Sequence, residues 1–323
     1  MTAVSASAPG KVVLSGEYAV LDGAPAVCMA VDRRASAKVT GIDSDWHRVS
    51  ASGYSSVEGQ FVADGATIEW LQGADEYAVV DAVWRILQRA GKDRLSIELD
   101  TRSFVDQESG KKIGLGSSAA LTVALVAALS KSSDVLGGAI HAHKIFQSGA
   151  GSGVDVATSV SGGLIEYRMS ETTISRLRWP AGLAYRLVWT GVPASTRLKL
   201  DRLAAIGHRS SRNALASAAE SMATAWQSAS TVMQLYPTYI EALRQFSVDH
   251  DLGIFDAGHD RLVTEAAAMG LVYKPCGAGG GDVGILLGAS DEQLDEFVVG
   301  RVASRCHVLE CGLATDGVLL EQC

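Results

Sequence analysis

The chain has 323 residues, 47% hydrophobic and only 20% charged, which excludes a disordered polymer and leaves room for more than one core. Its 28 basic and 36 acidic residues give a net charge of −8, and a pI near 5.4 excludes the broad basic footprint of nucleic-acid and anionic-membrane binders. Any anionic ligand must be held by a local site. The five cysteines (Cys28, Cys276, Cys306, Cys311 and Cys323) are odd in number and form no CxxC. That pattern argues against a disulfide framework or a zinc site and predicts a reducing, cytoplasmic setting. No basic stretch followed by an apolar one opens the sequence, and the most apolar run, 119–129, is too short to cross a bilayer. Glycine is abundant at 34 residues while proline stands at 6, a balance that favours tight functional loops over a flexible tail.

Taken in chain order, 11–15 and 26–31 read as strands beside Gly and Pro, followed by strands at 36–41 and 47–52 around an Asp43-Ser44-Asp45 turn. Apolar residues at Val79, Val80, Val83, Trp84, Ile86 and Leu87 predict an amphipathic helix over 75–91 that stops at Gly91. Period-two alternation makes 95–100 a strand. Ser117 or Ser118 caps an Ala- and Leu-rich helix reaching Ser130. Helices follow at 138–148 and 154–161, then strands at 162–168 and 184–190. The stretch 198–269 is mostly helical. Strands at 271–274 and 282–287 flank a glycine-rich loop. Ser290 with Gln293 forms a capping box for a helix over 291–304, and 306–310 and 317–321 close the chain as strands. No repeat of 20–50 residues occurs. A domain boundary is expected between 170 and 190, giving units 1–180 and 181–323.

Four segments carry chemistry. In Ser7-Ala8-Pro9-Gly10-Lys11, a lysine at a strand can aim its ammonium at a phosphate as a point charge. In Lys111-Lys112-Ile113-Gly114-Leu115-Gly116-Ser117-Ser118-Ala119-Ala120, glycines lead into a helix whose free N–H groups and positive dipole end suit an anion. The serine hydroxyls there can reach a phosphate or a magnesium ion, which prefers oxygen. The loop is not GxxxxGK[ST]. A dinucleotide fingerprint is also discounted, because the segment before Gly114 is polar and Asp134 does not end a β-branched strand. Gln147 to Ala157, with Ser152-Gly153-Val154-Asp155, sets an aspartate after a glycine turn at a helix start. Lys274-Pro275-Cys276-Gly277-Ala278-Gly279-Gly280-Gly281-Asp282 has more glycine than a hairpin needs and offers backbone N–H groups to a ligand.

Together these segments resemble, in order and over nearly the whole chain, the motifs of the GHMP kinases. Within that family they are most similar to those of the phosphomevalonate kinases: Tyr18 in GEYAVL, Lys112 two residues before Gly114, Gln147 with GSGVDVA, Trp189-Thr190-Gly191, and Ser195-Thr196. Two departures stand out. Lys144 occupies the position eleven residues before Asp155 where mevalonate kinases carry a metal-binding glutamate, and Cys276 replaces the usual serine. The resemblance implies an α+β fold of two domains, the first like ribosomal protein S5 domain 2 and the second ferredoxin-like. It also implies ATP and magnesium, with a phosphoryl group passed to phosphomevalonate, or in the alternative to mevalonate, by a monomer or homodimer. Carried onto this sequence, Lys11 and Asp155 are the expected catalytic pair. Gly114, Leu115, Gly116, Ser117, Ser118 and Ala119 are expected to hold the nucleotide, with Ser118 on the metal. Tyr18, Lys112, Ser152, Gly277, Ala278 and Gly279 are expected to hold the acceptor. A non-catalytic nucleotide or phosphometabolite sensor is the other reading, and the presence of Lys11 and Asp155 weighs against it.

Overall fold

The computed structural model describes residues 3–87, 93–130, 134–149, 151–207, 210–302 and 306–322. The predicted stop at Gly91 and the end of the helix placed over 291–304 lie outside the described residues.

The first half is a sheet with helices on one side. Strand β1 (Val4–Ser15) pairs antiparallel with β2 (Ala26–Ile42). The sequence suggested two short strands where β2 is one strand of 17 residues. The polar Asp32, Arg33 and Arg34 interrupt the apolar pattern, but a register shift between Pro9 and Gly10 absorbs them and the ladder continues. Next come β3 (His47–Ser52), a hairpin of β4 (Gly59–Asp64) and β5 (Thr67–Gln72), helix α1 (Ala78–Leu87) and β6 (Arg94–Asp100). The hairpin was not foreseen, since its burial is partial and its strands carry a mixed pattern. Strands β3 and β6 are parallel neighbours, so the intervening elements form a crossover. Helices α2 (Ser117–Leu129), α3 (Val135–Phe146) and α4 (Val154–Ser161) precede β7 (Leu164–Arg168) and β8 (Thr173–Leu177). Every residue of α2 from Ala119 to Leu129 is buried, which is why its sequence is apolar all round. The start of α3 is hidden in the sequence by Gly137 and Gly138. Asp134 supplies it, its carboxylate accepting from the Gly137 N–H.

The second half begins with β9 (Ala184–Trp189), then α5 (Thr196–Ile206), α6 (Ser210–Ala225), α7 (Ala229–Asp249) and α8 (His259–Ala268). It continues with β10 (Val272–Pro275), β11 (Val283–Gly288), α9 (Asp291–Phe297) and β12 (His307–Leu309). Ser290 caps α9 through the Gln293 N–H, as predicted. The antiparallel sheet has the order β10-β11-β9-β12, the split βαβ arrangement of a ferredoxin-like unit. The last strand, β13 (Leu319–Gln322), returns to the first sheet and pairs with β1. That sheet runs β13-β1-β2-β6-β3-β4-β5, with β7 on β2 and β8 on β7. The division at 180/181 stays a proposal: it falls between β8 and β9, and β13 crosses back over it. No described helix is long and apolar enough to cross a membrane.

Candidate active site

The centre of the site is Lys11 in β1. Its backbone N–H donates to the Leu115 carbonyl at 2.8 Å, so the strand and the Gly114–Ser118 loop are tied together. A side chain at Gly10 would strike the Phe104 ring and that same carbonyl, and one at Gly116 would strike the Lys11 stem. Gly116 also sits at φ 78°, in the left-handed region. These two glycines let the lysine lie flat across the loop. Its ammonium stands 3.1 Å from the Asp155 carboxylate. Burial works against its charge, yet Asp155, with lesser help from Cys28 and Asp282, holds its pKa above the ordinary lysine value.

Helix α2 starts at Ser117 from an uncapped Gly116. Its first N–H groups therefore have no side-chain acceptor, the condition for an anion site. Ser117 and Ser118 are partly exposed, whereas Leu115 and Ala119 are buried and contribute backbone only. Gly114 lies against the Asp282 carboxyl, where any side chain would overlap it. Burial, the larger cause, pushes the Asp282 pKa up, and the Ala194 N–H and Lys11 oppose it. The Ser118 hydroxyl is 3.2 Å from Nε2 of His143, in the last turn of α3.

Asp155 sits in the first turn of α4. Ahead of it, the Ser152 hydroxyl accepts from the Val154 N–H and the Ser152 carbonyl accepts from the Tyr167 hydroxyl at 3.0 Å. Both bonds fix the turn that aims the carboxylate. A cavity of about 310 Å³ opens beside the Lys11–Asp155 pair, and Tyr18, Ser152, Gly277 and Ala278 line it. Tyr18 has a positive φ of 61° and donates its hydroxyl to the Ala278 carbonyl at 2.7 Å. Burial pushes the Tyr18 phenol well above its usual range, so it stays a donor.

The structure thus brings Lys11, Asp155, Tyr18, Ser152, Gly277 and Ala278 around one cavity. None of the loop 114–119 lines the cavity, and it meets Lys11 at Leu115 and Gly116. Gly279 packs under Ile254 and does not line the cavity, and Lys112 is exposed and likewise outside the lining. Sequence reasoning missed His143, Phe146 and Arg197, all in the cavity wall. For His143 and Phe146, their i and i+3 spacing on α3 was the available signal, although only His143 is buried.

A second missed feature is a sealed ion pair. The Lys274 ammonium donates to the Glu17 carboxylate and to the Val13 carbonyl, and the Tyr239 hydroxyl donates to the other Glu17 oxygen at 2.6 Å. The Gly16 N–H completes the set by donating to Tyr239 at 2.7 Å. Burial disfavours the Lys274 charge, but Cys276 and Glu17 hold its pKa above the ordinary value.

Among the described residues, no cluster of three or more His, Cys, Asp or Glu is placed to hold a metal alone. A magnesium ion delivered with a nucleotide needs fewer protein ligands, because phosphate oxygens and waters complete its shell. Ser118 and Asp155 are oxygen donors on two helices that pack together, so the residues present fit that ion.

The GHMP kinases N terminal domain family matches residues 77–163. A phosphomevalonate kinase of Streptomyces sp. (strain CL190) is 30% identical over 334 aligned positions, covering 87% of this chain and 88% of that protein. A mevalonate kinase of Pyrococcus furiosus is 32% identical over 180 positions, or 51% of each chain. In structure, the Lin0012 protein from Listeria innocua superposes with a TM-score of 0.85 at 21% identity, covering 99% of both chains. The phosphomevalonate kinase of Streptococcus pneumoniae, solved with phosphomevalonate and AMPPNP, superposes at 0.76 with 17% identity over 99% of both chains. The chain belongs to the GHMP kinases. Its named relatives are kinases of phosphomevalonate and of mevalonate.

Proposed function

We propose that this kinase uses ATP to phosphorylate (R)-5-phosphomevalonate to the 5-diphosphate. The observation that supports the phosphotransfer reading is that Lys11, paired with Asp155, both touches the uncapped start of α2 and lines the cavity. A nucleotide phosphate on one side and an acceptor on the other would both face the same ammonium. The choice of acceptor rests on similarity to a phosphomevalonate kinase over both halves of the chain, where the Pyrococcus furiosus mevalonate kinase matches only about half.

The roles follow from charge. Phosphoryl transfer spreads negative charge over the moving group, so positioning and cationic stabilisation dominate. Gly114, Leu115, Gly116, Ser117, Ser118 and Ala119 form the cradle for the donor phosphates. Lys11 bridges donor and acceptor. Magnesium, when bound through Ser118 and beside Asp155, supplies further neutralisation of phosphate charge. Tyr18, Ser152 and the backbone of Gly277 and Ala278 hold the acceptor, while Gly279, packed under Ile254, shapes the loop from outside the cavity. Lys112 is exposed and outside the cavity lining, so a grip on the acceptor phosphate would require its side chain to swing in. A phosphomonoester has a second pKa near 6 and is already largely dianionic at pH 7. The acceptor then needs no base, and Asp155 acts by orienting Lys11.

The reading is tested by magnesium-dependent ADP release with (R)-mevalonate and (R)-5-phosphomevalonate at equal concentration. Turnover confined to the phosphorylated acceptor is the expected result. Turnover confined to mevalonate would replace it with the second reading, for which the Pyrococcus furiosus similarity speaks. Asp155 would then become the general base for an alcohol.

A further inference from the structure

The last turn of α3 splits sharply in exposure. Lys144 and Ile145 face outward, while His143 is 5% exposed and lines the cavity. Helix α3 packs on both α2 and α4, so His143 enters between the helix that starts the nucleotide cradle and the helix that carries Asp155. Its Nε2 lies 3.2 Å from the Ser118 hydroxyl.

We propose that His143 is a positioning residue for the magnesium–nucleotide complex, accepting the Ser118 proton so that the serine oxygen presents its lone pairs to the metal. The inference rests on the kinase reading above. A serine hydroxyl has one proton and two lone pairs. With the proton directed at an imidazole nitrogen, both lone pairs stay free for a hard cation. An outer partner that fixes a ligand in this way commonly contributes tenfold or more to metal affinity. The imidazole itself is a poor ligand for magnesium, which takes oxygen, so its effect runs through Ser118. The Ser118 carbonyl is held separately by the Thr122 hydroxyl at 2.8 Å. That leaves the Ser118 side chain, rather than its backbone, as the part His143 controls.

The test is calorimetric titration with AMPPNP, with and without magnesium, of the wild type, His143→Ala, His143→Gln, Ser118→Ala and the His143→Ala/Ser118→Ala double variant. His143→Ala is expected to weaken Mg–AMPPNP binding about tenfold and leave magnesium-free AMPPNP within about twofold. His143→Gln, which keeps an acceptor, is expected to restore most of the loss. In the Ser118→Ala background the histidine change should add less than about twofold, the non-additivity of residues acting through one another. Equal weakening with and without magnesium would overturn the proposal, and so would full additivity. A wild type that binds AMPPNP in neither condition would instead remove the kinase reading itself. Unfolding midpoints of all variants separate these outcomes from loss of fold.

Discussion

Lys11 with Asp155 and Lys274 with Glu17 are the same chemical pair in two settings. The first sits at a cavity, its side chains 10% and 31% exposed. The second is sealed, at 0% and 2%. Asp155 has room for another cation, and Lys11 for an incoming anion. Glu17 has both oxygens occupied, by Lys274 and Tyr239, and Lys274 also donates to Val13. One pair can exchange partners when a ligand arrives. The other joins the end of β1 to β10 of the second sheet and so fixes where Tyr18 and the Gly277–Gly281 loop meet. The difference teaches that access to a cavity, not residue type, separates a pair open to a ligand from a structural pin.

The largest effect expected from this comparison is on rate. Removing one charge of the open pair by Lys11→Met or Asp155→Asn should lower kcat by about 10²–10³, the scale for losing one electrostatic stabiliser of a transition state. Steady-state ADP release checks this. An Asp155→Asn variant keeping more than about a tenth of the wild-type rate, under about 1.4 kcal/mol of barrier, would break the assignment of the open pair as catalytic.

For the sealed pair the expected loss is in stability. Lys274→Met strands the Glu17 charge, and breaking a buried pair on one side costs about 3–5 kcal/mol. Adding Glu17→Gln removes the stranded charge and should recover part of that loss. Urea unfolding of the two variants measures both steps. If Lys274→Met shifts stability by less than about 1 kcal/mol, the pin is not a pin.

The two pairs also differ in how they could be read. Lys11 and Asp155 could be picked out because each follows a local glycine signal: Gly153 opens the helix that carries Asp155, whereas Lys11 lies inside β1 rather than at a strand start, just past the register shift at Pro9-Gly10. Lys274 and Glu17 lie 257 positions apart, and nothing local marks either as buried. Their pairing depends on how the second sheet docks, which periodicity does not encode. The same holds for His143: the inward face of α3 could be suspected, but contact with Ser118 needs the crossing of two helices. In the fold, helices and strands with clean periods were legible. The hairpin of β4 and β5 and the edge strand β8, both half exposed, were not. The return of β13 to β1 is a matter of topology rather than of its own residues.

His259 extends the sealed side. Its Nδ1 accepts from the Tyr273 hydroxyl at 2.9 Å, and its Nε2–H donates to the Gly281 carbonyl at 3.0 Å, so the neutral ring holds the glycine loop from behind. Burial is the main cause that depresses its pKa to about 4. In the unfolded chain the ring takes a proton near pH 6.5. The folded form's advantage is therefore fully present above that pH and is lost as pH falls from about 6.5 to about 4. The loss amounts to about 3 kcal/mol by linkage. Urea midpoints recorded between pH 7 and pH 4 should fall for the wild type. They should fall less for His259→Gln, which does not titrate. Parallel curves would mean that the loop is held by something else.

Tyr18 holds the same loop from the open side, and it sharpens the comparison most finely. Its hydroxyl donates to the Ala278 carbonyl at 2.7 Å, while its ring packs 5.4 Å from Phe246. Tyr18→Phe deletes the hydrogen bond and keeps the packing. One such bond is worth about 1 kcal/mol, a factor of about five in an equilibrium constant. If Tyr18 only closed the cavity wall, that cost would appear as lower stability with unchanged kinetics. If it sets the Ala278 backbone for the acceptor, the acceptor KM should rise about fivefold while the KM for ATP and the unfolding midpoint stay put, because the loop 114–119 proposed for the nucleotide is outside the cavity lining and the sealed pin is intact. A rise in both KM values would mean that the loop and the cradle move together, and that the two sides of Lys11 are not independent.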